Sequence, residues 1–193
     1  RHTVYTLEKS AEDGAYIRAV SSASASAIVR EHDADLAARP VLKWSWKIER
    51  LPGPRDPKAR SGDDYPARVY VAFRYDPGKA SLWEKIKYGA AKKLYGRYPP
   101  AGAIAYVWDT GLPVGSAYDN PYTGRTKMLV LESGGEKTGR WVEESRNVLE
   151  DHRRLFGAEP PDLEFLALMS DTDDTKDHAA ACFRRIAFIG GGS

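Results

Sequence analysis

Apolar and polar side chains alternate most regularly in the segment Ser61–Arg74, which opens with a Gly-Asp-Asp turn and a proline. Side chains of a β-strand point alternately to its two faces, so this pattern predicts a strand from about 67 to 74. The apolar face, which is expected to be core, holds Ala67, Val69, Val71 and Phe73. The opposite face holds Arg68, Tyr70, Ala72 and Arg74. This second face is where we expect the chemistry of the strand.

The same alternation recurs along the chain and predicts a mainly β protein. Residues 41–49 form the second clear strand, and Trp44 and Trp46 on its apolar face are expected in the core. Further strands are predicted at 4–7, 15–20, 25–30, 103–109, 127–133, 162–170 and 182–189. Runs of strands joined by turns favour an antiparallel β-sandwich or jelly roll, galactose-binding or concanavalin-like, over a βαβ fold.

Two segments have a helical period instead. Residues 81–97 predict a basic amphipathic helix, because apolar residues recur every three to four positions among lysines. This helix is expected to cover a sheet edge or a cleft; the alternative is that it lies on a membrane surface. Residues 143–156 predict a second helix, and Gly157 is its expected stop.

Composition and charge narrow the class of protein. The 193 residues predict a single domain at 1–189, with 190–193 as a linker or frayed tail. A net charge of +2 does not favour a nucleic-acid partner. Cys182 is the single cysteine, which excludes a disulfide within the chain. Because the chain begins at Arg1 without a methionine, we expect that a preceding segment has been removed.

Four segments in a fixed order resemble a known bacterial family. They are Leu-Lys-Trp-Ser-Trp at 42–46, the segment 62–73, Ala-Tyr-Val-Trp at 105–108, and 151–157 followed by 170–175. Together they resemble the family of proteins of unknown function numbered three thousand and forty-seven, from about Thr3 to Phe188. The resemblance implies a jelly-roll sandwich similar to carbohydrate-binding and lectin-like domains. It also implies an envelope protein that is periplasmic or secreted after removal of a signal peptide. It implies no activity and transfers no catalytic residues.

The polar face of the strand 67–74 is the main candidate site. Its expected ligand is a glycan or another polyhydroxylated or acidic molecule. The candidate ligand-binding residues on this face and at the strand entrance are Asp63, Asp64, Arg68, Tyr70 and Arg74. Tyr106 and Trp108 join them, because sugar rings pack on aromatic rings. The alternative is a solvated sheet face on which the arginine pairs with an aspartate.

Two other functions stay open. A lyase or hydrolase acting on polysaccharide would use Arg68 with Asp63 or Asp64. An envelope-associated structural or interaction protein would act through the helix 81–97. The sequence contains no Gly-x-Ser-x-Gly elbow, no His-Glu-x-x-His motif and no phosphate-binding glycine loop.

An acidic loop near the C-terminus is the candidate metal site. Asp171, Asp173 and Asp174 lie close together, and calcium prefers several oxygen ligands, so a calcium ion is the one cofactor considered. One alternative is a turn whose side chains accept local hydrogen bonds. Another is that these aspartates pair with an arginine such as Arg68.

Overall fold

Eleven β-strands and one α-helix are formed by the residues described in a computed structural model, namely 1–78, 88 and 98–191. The strands are β1 Val4–Ser10, β2 Gly14–Ser22, β3 Ala25–Glu31, β4 Val41–Arg50, β5 Ala67–Phe73, β6 Gly102–Asp109, β7 Ala117–Asn120, β8 Thr123–Ser133, β9 Val142–Asn147, β10 Leu163–Asp171 and β11 His178–Ile189. The helix α1 is Val148–Phe156. No helix within the described ranges has the length and apolar character needed to cross a membrane.

The strands form two sheets that pack face to face, which confirms the predicted β-sandwich. One sheet has five strands in the order β1-β2-β11-β4-β9, and the other has six in the order β3-β10-β5-β6-β8-β7. A tight turn over residues 11–13 joins β1 and β2, with Ser10 opposite Gly14. Strands distant in the chain therefore become neighbours within each sheet.

The pairing of β6 with β8 departs from the predicted antiparallel pattern. These two strands run parallel, with Tyr106 opposite Leu129, whereas every other strand pair in the described residues is antiparallel. The reason lies in β7, which forms the edge of the sheet. The chain then turns back as β8, which inserts between β7 and β6. Because β8 is antiparallel to β7, it runs in the same direction as β6.

The core between the sheets is rich in tryptophan. Trp44 and Trp46 are buried there, as predicted, with ring centroids 5.4 Å apart, and Trp46 lies 5.8 Å from Trp108. Tyr106 and Trp108 are also fully buried in this core, so the expectation that they contact a ligand is corrected. Strand alternation explains the difference, because both residues lie on the inward face of β6 together with Ile104.

The predicted helix 143–156 begins five residues later than expected. Residues 143–147 belong to strand β9, where Glu143 pairs with Ser45 of β4. Asn147 then starts the helix, because its side chain accepts a hydrogen bond from the Glu150 amide at 3.1 Å. Gly157 ends the helix in the left-handed conformation at φ 68°, as predicted.

The predicted basic helix 81–97 lies outside the described residues, apart from Tyr88. The buried Tyr88 ring stacks on Tyr75 with centroids 3.7 Å apart. The guanidinium of Arg125 lies 4.4 Å from the Tyr88 ring centroid. Tyr88 therefore packs against residues of the sandwich.

The outer face of the six-stranded sheet carries a second, smaller apolar cluster. Its buried members are Tyr65, Ala105, Val107, Met128 and Val130. The strand residues among them alternate with those that face the core. Tyr65 belongs to the loop before β5, so this loop covers part of the outer face. Beside this loop, the same face of the sheet carries a polar hollow.

Candidate functional site

A polar cleft of about 490 Å³ opens on the outer face of the six-stranded sheet. Strands β3, β5, β7, β8 and β10 contribute to its walls, together with the acidic loop that follows β10. Its lining residues are Ala25, Asp63, Arg68, Tyr70, Asn120, Tyr122, Thr123, Thr126, Met169, Asp171, Asp173 and Asp174. Several residues predicted for the two separate sites therefore line one cavity.

Arg68 lies at the bottom of the cleft with its side chain only 2% exposed. Its Nε donates to Asp171 Oδ1 at 2.8 Å, and its Nη1 donates to Asp63 Oδ1 and to the Tyr70 hydroxyl, both at 3.1 Å. Its Nη2 donates to the Asp63 carbonyl and to Asp171 Oδ2. A guanidinium has five N–H donors, so these five bonds use all of them. Arg68 thus positions the acidic groups and retains no donor for a ligand.

Burial sets the protonation of the groups around Arg68. Burial opposes the charge of Arg68, but Asp171, Tyr70 and Asp63 together raise its pKa well above the ordinary value. Burial raises the pKa of Asp171 to about 7 despite the adjacent Arg68, and Asp64 and Asp63 act in the same direction. Burial also raises the pKa of Tyr70 to about 12, so its hydroxyl stays protonated and can donate to a ligand at neutral pH.

The aromatic ring of Tyr65 supports the guanidinium from below. Arg68 lies 4.3 Å and Arg55 lies 4.5 Å from the Tyr65 ring centroid. The Tyr65 hydroxyl is 2.5 Å from the hydroxyl of Tyr118, and Arg55 pairs with Asp109 at 3.3 Å. Burial raises the pKa of Tyr65 far above its ordinary range. The floor of the cleft is therefore held by cation–π and hydrogen-bond contacts.

The two adjacent aspartates before β5 have different partners. Asp63 turns to the cleft, where its Oδ2 accepts from Asn120 Nδ2 at 2.8 Å. Asp64 is fully buried and accepts from the Thr175 amide at 2.6 Å and the Asp174 amide at 3.2 Å. Asp64 thus anchors the acidic loop through long-range hydrogen bonds, whereas the local alternative places the acceptors in the turn itself.

The acidic loop does not bring together the three residues predicted to bind calcium. Both carboxylate oxygens of Asp171 accept from Arg68, as the alternative of an arginine partner expects. Among the described residues, Asp64, Asp173 and Asp174 are the acidic group whose carboxylate oxygens lie within 4.8 Å of one another. Asp64 already accepts backbone hydrogen bonds at both oxygens, so this set fits a calcium ion poorly.

Arg74, the last of the predicted ligand-binding residues, lies away from the cleft. It is exposed, and its Nη2 donates to the Leu163 carbonyl at 3.4 Å. It lines two other hollows of about 700 and 410 Å³. It lies six positions along the chain from Arg68, just beyond the end of β5, or roughly 20 Å away, so a small ligand does not reach both.

Sequence reasoning did not assign Asn120 to the cleft, where it lies beside Tyr122. Both come from the turn between β7 and β8, where Asn120-Pro121 signals only a change of chain direction. Asn120 Oδ1 accepts from the Tyr122 amide at 3.0 Å, and the Tyr122 hydroxyl lies 2.9 Å from Asp174 Oδ1. Pairing of β7 with β8 carries this turn to the acidic loop, and no local pattern indicates that contact.

Fold and cleft together define a β-sandwich with a polar hollow on the outer face of one sheet. The chain belongs to the family described as Protein of unknown function (DUF3047), which matches residues 1–187 and confirms the resemblance. No curated protein matches the chain. The solved structure of a loop-swap mutant of Necallimastix patriciarum Xyn11A is similar at 8% sequence identity and a TM-score of 0.43, with 99% of this chain and 88% of that chain covered. The function is therefore argued from the cleft.

Proposed function

We propose that the protein binds a hydroxyl-rich ligand, such as a glycan, in the cleft over β5 and β10, without catalysis. The observation that carries the proposal is that oxygen acceptors, phenol hydroxyls and an exposed aromatic ring line one cavity of about 490 Å³. Sugar hydroxyls donate to carboxylates, and the apolar faces of sugar rings pack on aromatic rings. An extracytoplasmic location is part of the proposal and rests on the resemblance alone.

Three groups in the cleft are available to such a ligand. The carboxylate of Asp173 receives no hydrogen bond from the described residues, and the Tyr70 hydroxyl accepts from Arg68 while its own proton has no acceptor among them. The Tyr122 ring is 51% exposed at the rim. Together they provide an acceptor, a donor and a stacking surface.

Binding measurements with paired variants test the proposal. Tyr122→Ala removes the rim ring, and we expect affinity for a bound glycan to fall roughly fivefold, from about 1 kcal/mol of lost ring contact. Tyr70→Phe removes one hydroxyl from the cleft, and Tyr16→Phe removes an equivalent hydroxyl on the other sheet. A glycan array followed by titration of the best ligand gives both comparisons. The proposal fails if no glycan binds, or if Tyr70→Phe and Tyr16→Phe behave alike.

The enzymatic alternative receives less support from the same contacts. Arg68 has no free donor to neutralise a substrate carboxylate, and both oxygens of Asp63 and of Asp64 already accept hydrogen bonds. A lyase or hydrolase would need one of these groups to exchange a proton with the substrate or to pair with its charge, and Asp63, which lines the cleft, is engaged by Arg68 and Asn120. Release of reducing or unsaturated sugar ends from a bound polysaccharide would restore this alternative.

A further inference from the structure

The described side chains of the cleft offer an anion no free N–H donor. Among the described lining residues, only Arg68 and Asn120 carry side-chain N–H groups. All N–H groups of Arg68 donate to Asp171, Asp63 and Tyr70. Asn120 Nδ2 donates to Asp63 Oδ2 at 2.8 Å and contacts the Met128 sulfur at 3.9 Å. Carboxylate and phosphate groups are bound most strongly by such N–H donors. No N–H group of these two side chains is free to bind an acidic ligand.

Negative charge exceeds positive charge in and around the hollow. Four aspartates line it, and Asp64 lies directly behind the acidic loop. The cations beside them among the described residues include Arg68 at the bottom, Arg60, which lies 5.2 Å from the Tyr122 ring centroid, and Lys176, whose Nζ donates to the Asp173 carbonyl. Arg55 on the Tyr65 ring is paired with Asp109. The Asp173 carboxylate has no ion-pair partner among the described residues.

From this balance we infer that the ligand of the cleft carries a protonated amine beside its hydroxyls, as an amino sugar does, and that Asp173 receives the amine. The inference rests on the proposed function and narrows its ligand class. An ammonium supplies three donors and one positive charge, which match the free acceptors of the rim. A uronate of the same size would meet the Asp173 carboxylate without a free guanidinium or ammonium to offset it, and would be repelled.

Three oligosaccharides of equal length separate the ligand classes. They are an oligomer of glucosamine, its N-acetylated form and an oligomer of glucuronate, each titrated calorimetrically against the full chain at a pH where the amine is protonated. We expect the amine form to bind on the order of tenfold more tightly than the N-acetylated form, and the uronate to bind most weakly. Added salt should reduce the advantage of the amine.

Two matched variants locate the source of that preference. Asp173→Asn removes the free carboxylate of the cleft, and Glu143→Gln removes an exposed carboxylate on β9. The advantage of the amine form should shrink several-fold in Asp173→Asn and stay unchanged in Glu143→Gln. Equal or tighter binding of the N-acetylated form overturns the inference but leaves the proposed function standing. Absence of binding by all three oligomers, and by every glycan of the array, overturns both.

Discussion

Replacement of Arg68 by methionine should destabilise the fold strongly. Methionine fills much of the same volume but leaves the carboxylates of Asp171 and Asp63 buried without their guanidinium. Removal of one partner of a buried ion pair typically costs about 3–5 kcal/mol, because the remaining charge is desolvated and unpaired. In a chain of this length, that loss lowers the melting temperature on the order of 10 °C.

Urea and thermal unfolding measure this loss, and Arg18→Met serves as the control. Arg18 pairs with Glu49 at 2.7 Å, but both side chains are about one-third exposed, so its removal should cost at most about 1 kcal/mol. The double variant Arg68→Met/Asp171→Asn should recover part of the stability that Arg68→Met loses, because Asp171→Asn removes the buried unpaired carboxylate. Equal effects of the two arginine substitutions would refute the reasoning.

The cost of Arg68→Met should also depend on pH. Without the guanidinium, the folded-state pKa of Asp171 lies even further above the unfolded value of about 4. A carboxyl with a raised folded pKa favours the folded state below the unfolded pKa, and this contribution is lost as the pH rises through the folded pKa. Asp171 of the parent has a folded pKa of about 7, so the difference in free energy of unfolding between variant and parent should stay at its smallest value below about pH 6 and widen above about pH 7. A difference in free energy of unfolding that narrows with rising pH would contradict the assignment of this effect to the Asp171 carboxylate.

Three further predictions concern the rest of the sandwich. Burial, and then repulsion by Glu132, raises the pKa of Glu144 to about 7, so stability should decline between about pH 4.5 and 7, and Glu144→Gln should flatten that decline in a pH series of melting temperatures. Asn147→Ala should lower the free energy of unfolding by about 1 kcal/mol in urea titrations, because the helix loses its N-terminal cap. Trp108→Ala should cost about 3–5 kcal/mol by the same measurement, because it leaves a cavity in the core.

The strands and the core were predictable because strand alternation is a local property. In β4 and β5 the side chains of one face are buried between the sheets, and their period of two is visible without any partner. The start of α1 was not predictable in this way. Whether residues 143–147 form a helix or a strand depends on the free edge of β4, about one hundred residues earlier in the chain.

The candidate site was predictable only in part, for the same reason. The polar face with Arg68 and Tyr70 follows from alternation, and an aspartate partner was an open alternative. The choice of Asp171 as that partner depends on the pairing of β10 with β5, which places Met169 opposite Arg68. Asn120 enters the cleft through β7, a strand of four residues whose sequence carries little pattern.

The position of β11 has a consequence for how the molecule is made. This strand lies between β2 and β4, where His178–Phe183 pairs with 17–22 and Ala187–Ile189 pairs with 41–43. Both neighbours precede the strand that unites them by more than one hundred residues. Until β11 has paired, each exposes an unpaired edge at which other chains can associate. We therefore expect slow, late closure of the five-stranded sheet and a need for chaperone protection before it.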